Sequence, residues 1–505
     1  MPNRTRPRRP ETASFAGAWW WSADAAPVGP PTALVTCAWE RAGARVESGA
    51  RFPRCVPTFL ERDSPMRIVR FVGLLLLLAV PGRAGVFPYQ YQVQTLDNGL
   101  KTILIPMPGS GLVSYYSVVR TGSRDEVEPG HTGFAHFFEH MMFRGTKKFP
   151  AEVRERIVTG MGASTNAYTT DDYTCYYMNV AAEDLPKVVE LEADRFQSLS
   201  YEEPNFQTES GAVYGEYRKN RTQPFSVLSE ALQDKAFDVH TYKHTTMGFE
   251  KDIVAMPTMY EYSKSFFARF YRPENVVVVV AGDFDPAAAM AMIRREYGGW
   301  KTGYQAPAVQ AEPEQKGERT LDVSYGGRTL PMVTVAWKSP AFDPASREVA
   351  AGMVLGDLLF GETSAAYREL VLEKRLAQRV FPGFRISRDP GLWTVSAMVA
   401  GEQNIAAVRE AIDQAVARIQ QNPPSAKDLD DLKRRSRYGF VMGMDTPDHV
   451  AGGLARFIAM TGGIESVDRL FATMDQVTPE DVQAAARKYL TADRRTVAIL
   501  KGVRS

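Results

Sequence analysis

Two histidines and a glutamate stand together in the run His136-Phe137-Phe138-Glu139-His140. As a helix turning about 100° per residue, it puts the imidazoles about 40° apart with Glu139 inside the same arc. Two imidazoles on one helical face can hold a divalent metal, and a carboxylate beside them can take a proton from water activated there. The order is H-x-x-E-H, inverted relative to the H-E-x-x-H helix of many zinc peptidases. The chemistry implied is zinc-assisted hydrolysis of a peptide bond. An amphipathic helix with a solvated polar face would use the same residue types. Its neighbours speak against that, because Phe134, Ala135, Phe137, Phe138, Met141 and Met142 are apolar on nearly every side. Burying two histidines and a glutamate among them is costly unless they are paired or bound to metal.

A catalytic zinc normally takes three protein ligands plus water. The best candidates for the third lie in FQTESGAVYGEYRKN, where Glu209 and Glu216 are seven residues apart and share a helical face. One can bind the metal while the other orients a histidine ring. Gly211 and Gly215 between them are expected to let this helix approach its neighbour closely.

These residues need elements to hold them. Turn formers at 97–99 and 109–111 predict strands at Leu100 to Ile105 and Leu112 to Val119. The metal helix should run from about Gly133 to Phe143, ended by Gly145. Helices are expected over Leu185–Leu199 and from Pro204 through Lys219, and a single strand from Thr165 to Val180. Val276 to Val280 should be a fully buried strand. Residues 299–318, with Pro307 and Pro313, break the pattern as a linker. Beyond it come a strand at Met332 to Trp337, a helix from Pro344 to Leu359 capped by Asp343, and another from Thr363 to Leu376. Helices at 405–420, 427–440 and 478–489 and a strand at Thr496 to Leu500 complete the chain. RFYRPENVVVVVAG (269–282) and RKYLTADRRTVAILKG (487–502) both read as helix end, turn and buried strand. That echo predicts a duplicated α+β fold: two homologous units at 88–298 and 319–505, each an antiparallel sheet with helices on one side, closing as a clamshell.

The chain has 505 residues, 44% hydrophobic and 24% charged, with a formal net charge of +1, so no nucleic-acid partner is called for. Its three cysteines cannot make a disulfide framework, and Cys175 is expected to be a buried, inert thiol. Residues 1–65 are rich in Arg, Pro and Ala without periodicity and are expected to be a disordered gene-model extension. Met66 opens a segment with Arg67 and Arg70, an apolar run from Phe71 to Val80 and small residues at Gly82 and Ala84, the pattern of a signal peptide over 66–84. The apolar run is too short for a stable transmembrane span, and the expected location is the periplasm or the medium.

HTGFAHFFEHMMFRGTKKFP (131–150) resembles the signature of the pitrilysin/insulinase zinc metallopeptidases, in the bacterial branch similar to the mitochondrial processing peptidase. The resemblance implies one Zn2+ per chain on His136, His140 and Glu216, with Glu139 as catalytic base and Glu209 as the supporting acid of the site. GASTNAYTTDDYTCYYMNV (162–180) resembles the family's substrate-holding edge strand, which implies that Asn166 and Ala167 bind an extended peptide substrate. One departure stands out. The family commonly carries an Arg and a Tyr seven apart in its second half, and the matching positions here are Val371 and Gln378. Arg368 and Arg375 are also seven apart. The resemblance implies a metal-bearing subunit that works with a homologous partner carrying the Arg/Tyr pair. A non-catalytic peptide-binding or assembly subunit is the alternative, which loss of Glu139 or of a metal ligand would have favoured.

Overall fold

The computed structural model describes residues 85–503. The segments 1–65 and 66–84, with Cys37 and Cys55, lie outside the described residues. Strands are β1 (Gln92–Thr95), β2 (Lys101–Pro106), β3 (Leu112–Val119), β4 (Ser164–Thr169), β5 (Thr174–Ala181), β6 (Val276–Gly282), β7 (Arg319–Tyr325), β8 (Met332–Lys338), β9 (Ala377–Phe384), β10 (Leu392–Val399) and β11 (Arg495–Gly502). The first-half sheet has the order β1-β2-β6-β3-β5-β4, and the second has β7-β11-β8-β10-β9. With β1 set aside, the two orders superpose strand for strand. In each sheet the strand that ends the half (β6, β11) runs parallel to the one that opens it (β2, β7), while the other pairs are antiparallel. The molecule is thus the expected α+β clamshell of two homologous units. Its sheets are mixed rather than purely antiparallel, because a strand returning after a run of helices can enter beside the first strand in the same direction.

The helices that matter for the site are α1 (Phe134–Met141), α2 (Ala151–Gly160), α3 (Leu185–Ser198), α4 (Glu203–Asn220) and α5 (Pro224–Ala236). They do not all stay on one side of their own sheet. Strand β6 reads VVVVVAG and is buried at every position, which requires cover on both faces. Val276, Val278 and Val280 pack with α1, α3 and their neighbours. Val277, Val279 and Ala281 join a different core, shared with Val450, Leu454 and Ile458 of the second-half helix Pro447–Thr461. The exchange is reciprocal: Val227, Leu228 and Leu232 of α5 pack on Met332, Ala336, Ala498 and Leu500 of the second sheet. Each half therefore lends one helix to the other.

The expected single strand over 165–180 is a hairpin, β4 and β5 around a turn at 170–173, with β4 at the edge of its sheet. The helix expected from Pro344 starts at Arg347. Ser346 caps it by accepting Val349 N–H at 3.3 Å, while Asp343 accepts Ala345 N–H at 2.8 Å within the preceding turn. The helix expected over 363–376 is one short turn, Ala365–Tyr367, continued by a π-helical stretch, Arg368–Glu373. It stops where Arg375 takes φ +51°, so Arg368 and Arg375 share no helical face. Cys175 is buried and unpaired, its thiol pushed up to about 12 by that burial.

The two edge hairpins meet near their turns. Asp172, between β4 and β5, accepts Tyr242 OH at 2.6 Å and the amide of Arg388, between β9 and β10, at 3.3 Å. The neighbouring Asp389 takes Arg124 Nε at 2.6 Å and His240 Nε2 at 3.0 Å. Residues 301–316 carry no helix or strand, yet they are pinned. Glu312 accepts the amides of Asp238, Val239 and His240 and ion-pairs with Lys338 Nζ at 3.0 Å.

Candidate metal centre

Helix α1 is only eight residues long, too short to persist on its own, and burial of Phe134, Ala135, Phe137, Phe138 and Met141 holds it in the first-half core. Its start is fixed by a carboxylate. Buried Glu126 accepts Gly133 N–H and Ala135 N–H, each at 2.7 Å, satisfying two of the amides that a helix N-terminus leaves unpaired. Gly133 sits at φ +92°, and a Cβ there would stand 2.2 Å from Ile253 Cδ1, so only glycine serves. With α1 anchored, His136 and His140 face α4.

Helix α4 presents Glu209 and Glu216 two turns apart, with Phe206, Val213 and Tyr217 buried behind them. Glu216 Oε2 lies 3.3 Å from His140 Nε2 and 3.6 Å from His136 Nε2. Three donor atoms of His136, His140 and Glu216 lie within 4.8 Å of one another, the one such grouping of His, Cys, Asp or Glu among the described residues. A tetrahedral ion with ligands at about 2.0–2.2 Å needs neighbouring donors about 3.3–3.6 Å apart. Both separations from Glu216 fall in that interval, so Glu216 can share such an ion with either histidine.

Glu209 does something different. Its Oε1 takes His140 Nδ1–H at 3.0 Å, and its Oε2 is clamped by Arg144 Nε and Nη2. With Nδ1 donating to Glu209, His140 presents Nε2 as the ligand atom. Glu209, grouped by sequence with the catalytic residues, thus acts through His140. Burial of His140 opposes its charge, but hydrogen bonds to Glu209 and Glu216 outweigh burial and hold its pKa at about 10. Burial dominates at His136 and lowers its pKa. Of the two imidazoles, His140 is therefore the one held charged, between Glu209 and Glu216, and His136 the one held neutral.

Glu139 Oε2 stands 4.0 Å from His136 Nε2 and accepts Thr169 Oγ1–H at 2.7 Å. Asn166 and Ala167 lie on edge strand β4, where Ala167 N–H is met by Asn166 Oδ1 at 2.9 Å. The structure thus brings Glu139, Glu209, His136, His140 and Glu216 together and puts Asn166 and Ala167 on the strand that reaches Glu139 through Thr169. Gly211 and Gly215 make no close approach, since a Cβ at either would meet open space. Sequence reasoning missed Arg144, although its position four after His140 was a usable signal. It also missed Thr169, whose link to Glu139 depends on the hairpin.

The family described as Insulinase (Peptidase family M16) matches residues 110–250, and Peptidase M16 inactive domain matches residues 259–436. Zinc protease PqqE of Helicobacter pylori is 27% identical over 450 residues, covering 86% of this chain and 99% of that protein. Cytochrome b-c1 complex subunit 1 of Bos taurus is 30% identical over 220 residues, 43% of this chain and 45% of that one. Among solved structures, a protease from Helicobacter pylori superposes with a TM-score of 0.77 at 26% identity, over 82% of this chain and 99% of its own. A putative M16-like peptidase from Alicyclobacillus acidocaldarius shares the fold, with a TM-score of 0.72 at 23% identity over 83% of this chain and 99% of its own. With both halves matched in order and the H-x-x-E-H helix in place, the chain belongs to the insulinase family of peptidases, family M16.

Proposed function

We propose that this chain is a zinc endopeptidase that cuts short or unfolded peptides. The observation that carries the reading is the convergence of His136, His140 and Glu216 beside Glu139. A bound zinc ion would supply Lewis acidity, making water a nucleophile near neutral pH and polarising the scissile carbonyl. His136 Nε2, His140 Nε2 and Glu216 would hold it, while Glu209 and Arg144 keep the His140 ring in register. Glu139 takes a proton from the attacking water and returns it to the leaving amine. The edge of β4 offers main-chain hydrogen bonds to an extended peptide. Ala167 N–H becomes available there once the Asn166 carboxamide turns away. Peptide hydrolysis by the zinc-loaded chain tests this reading. Glu139→Gln should keep its zinc and lose at least about a hundredfold in kcat, and full activity in that variant would overturn it.

Two parts of the reading rest on sequence. Val371 and Gln378 stand where relatives carry the Arg/Tyr pair, and Arg368 and Arg375 are exposed and separated by the helix break. A homologous partner would supply the pair, in keeping with a relative that is itself one subunit of a complex. Losing one transition-state donor of that kind costs about 2.7–4 kcal/mol, so the chain alone should hydrolyse peptides at least about a hundredfold slower than its mixture with a co-encoded homologue. Equal rates for the monomeric chain and the mixture would contradict the shared site. The signal-like segment 66–84 supports a periplasmic or secreted protein, and a mature N-terminus near Gly85 is the expected result of sequencing it.

A further inference from the structure

We propose that Thr169 is the positioning residue of Glu139, tying the base to the strand that would carry substrate; the inference rests on the peptidase reading above. Glu139 projects from α1, whereas Thr169 ends β4, the strand of Asn166 and Ala167. Thr169 Oγ1 lies 2.7 Å from Glu139 Oε2 and 3.4 Å from Thr174 Oγ1, the residue opposite it in the hairpin. The direction of each bond is fixed by what can donate. Thr174 gives its hydroxyl hydrogen to the carbonyl of Thr121 at 3.0 Å, so that hydrogen is engaged. An ionised carboxylate only accepts, so Thr169 donates to Glu139.

A hydroxyl can also turn round. When Glu139 carries the proton taken from water, Thr169 Oγ1 accepts from the carboxyl and donates to Thr174 Oγ1. The contact survives both protonation states with no proton gained or lost along the chain. Few side chains could do this: valine has the shape without the hydroxyl, and serine has the hydroxyl with less shape.

The hairpin around Thr169 is itself held. Arg124 N–H donates to the Asp171 carbonyl at 2.8 Å, Ser123 Oγ to Asp171 Oδ1 at 3.2 Å, and Asp172 is fastened to Tyr242 and to Arg388 of the second half. Peptide pairing along β4 and alignment of Glu139 therefore depend on one rigid piece of backbone.

The test compares wild type, Thr169→Val and Thr169→Ser, by kinetics and by crystallography of the metal-loaded proteins. Misplacing a reacting group by about 1 Å can cost about a hundredfold in rate. Thr169→Val should accordingly lose about ten- to a hundredfold in kcat with KM and zinc content unchanged, and Thr169→Ser should recover most of the rate. Crystals of Thr169→Val should show the Glu139 carboxylate moved or spread over more than one rotamer. Wild-type kcat in Thr169→Val, a change confined to KM, or an unmoved Glu139 would each overturn the proposal. Inactivity of the wild type on every peptide would instead refute the peptidase reading, and the position of Glu139 in the crystals would still decide the role of Thr169.

Discussion

The helix after the third strand of the first-half sheet is α1, with His136, Glu139 and His140. The helix after the matching strand of the second sheet, Arg347–Phe360, contains no histidine. Its distinctive residues are Gly352 and Gly356, where a Cβ would stand 1.9 Å from Trp393 Cη2 and 2.6 Å from Phe384 Cδ2. The second-half helix after its sheet's own covering helix is Ala426–Met442, in the place of α4. It contains no glutamate and buries Leu429, Leu432, Ser436 and Phe440. One half uses its first helix to project donors and the other uses it to let large aromatics close on backbone. A shared sheet topology thus carries no chemistry by itself; a handful of side chains on two helices and one edge strand do.

The sharpest way to break the comparison is to weaken the metal pocket without touching a ligand. Glu209→Gln keeps a hydrogen-bond acceptor for His140 but loses the charge that Arg144 clamps. Zinc affinity should fall about 10–100-fold, as measured by competition with a chelator. Unchanged affinity would mean that His140 is oriented by something other than Glu209.

A second test uses protons. Metal-free His140, held up at about 10, is protonated at neutral pH, whereas His136, its pKa lowered by burial, is neutral. A ligand must be deprotonated to bind, so zinc should displace about one proton per ion rather than two, and its apparent affinity should rise about tenfold per pH unit between pH 6 and 8. Calorimetry in buffers of different ionisation enthalpy reads the proton count directly. Release of two protons would show that His136 is also charged in the empty pocket.

The smallest effects separate packing glycines from idle ones. Gly352→Ala must push Trp393 aside and should destabilise the protein by about 1–3 kcal/mol. Gly211→Ala adds a methyl to open space on the exposed face of α4 and should stabilise the protein by about 0.4–1 kcal/mol. Thermal unfolding of the metal-free proteins compares them, and a stabilising Gly352→Ala would remove the close-packing role given to the second-half helix.

What could be seen in the sequence followed from range along the chain. His136, Glu139 and His140 are one turn apart, so helical period alone brings them together. Glu209 and Glu216 form a second local pattern, and choosing between them as ligand needed the family resemblance. Buried strands such as Val276–Gly282 announced themselves by composition. Thr169 could not be seen, because its partner lies 30 residues away and the contact exists only when 165–180 folds as a hairpin. The exchange of α5 and Pro447–Thr461 was equally hidden, since an apolar helical stripe says that a face is buried but not against which sheet. Gly211 and Gly215 misled because glycine marks close approach in some helices and merely costs stability in others.

Anomalous diffraction at the zinc absorption edge, on crystals grown with zinc, tests most directly the claim that the chemistry resides in the first half. The account predicts one strong peak per chain, about 2.0–2.2 Å from His136 Nε2, His140 Nε2 and a Glu216 carboxylate oxygen, with none among the second-half residues. A pocket without a peak, or a peak coordinated by Glu209 in place of Glu216, would contradict it.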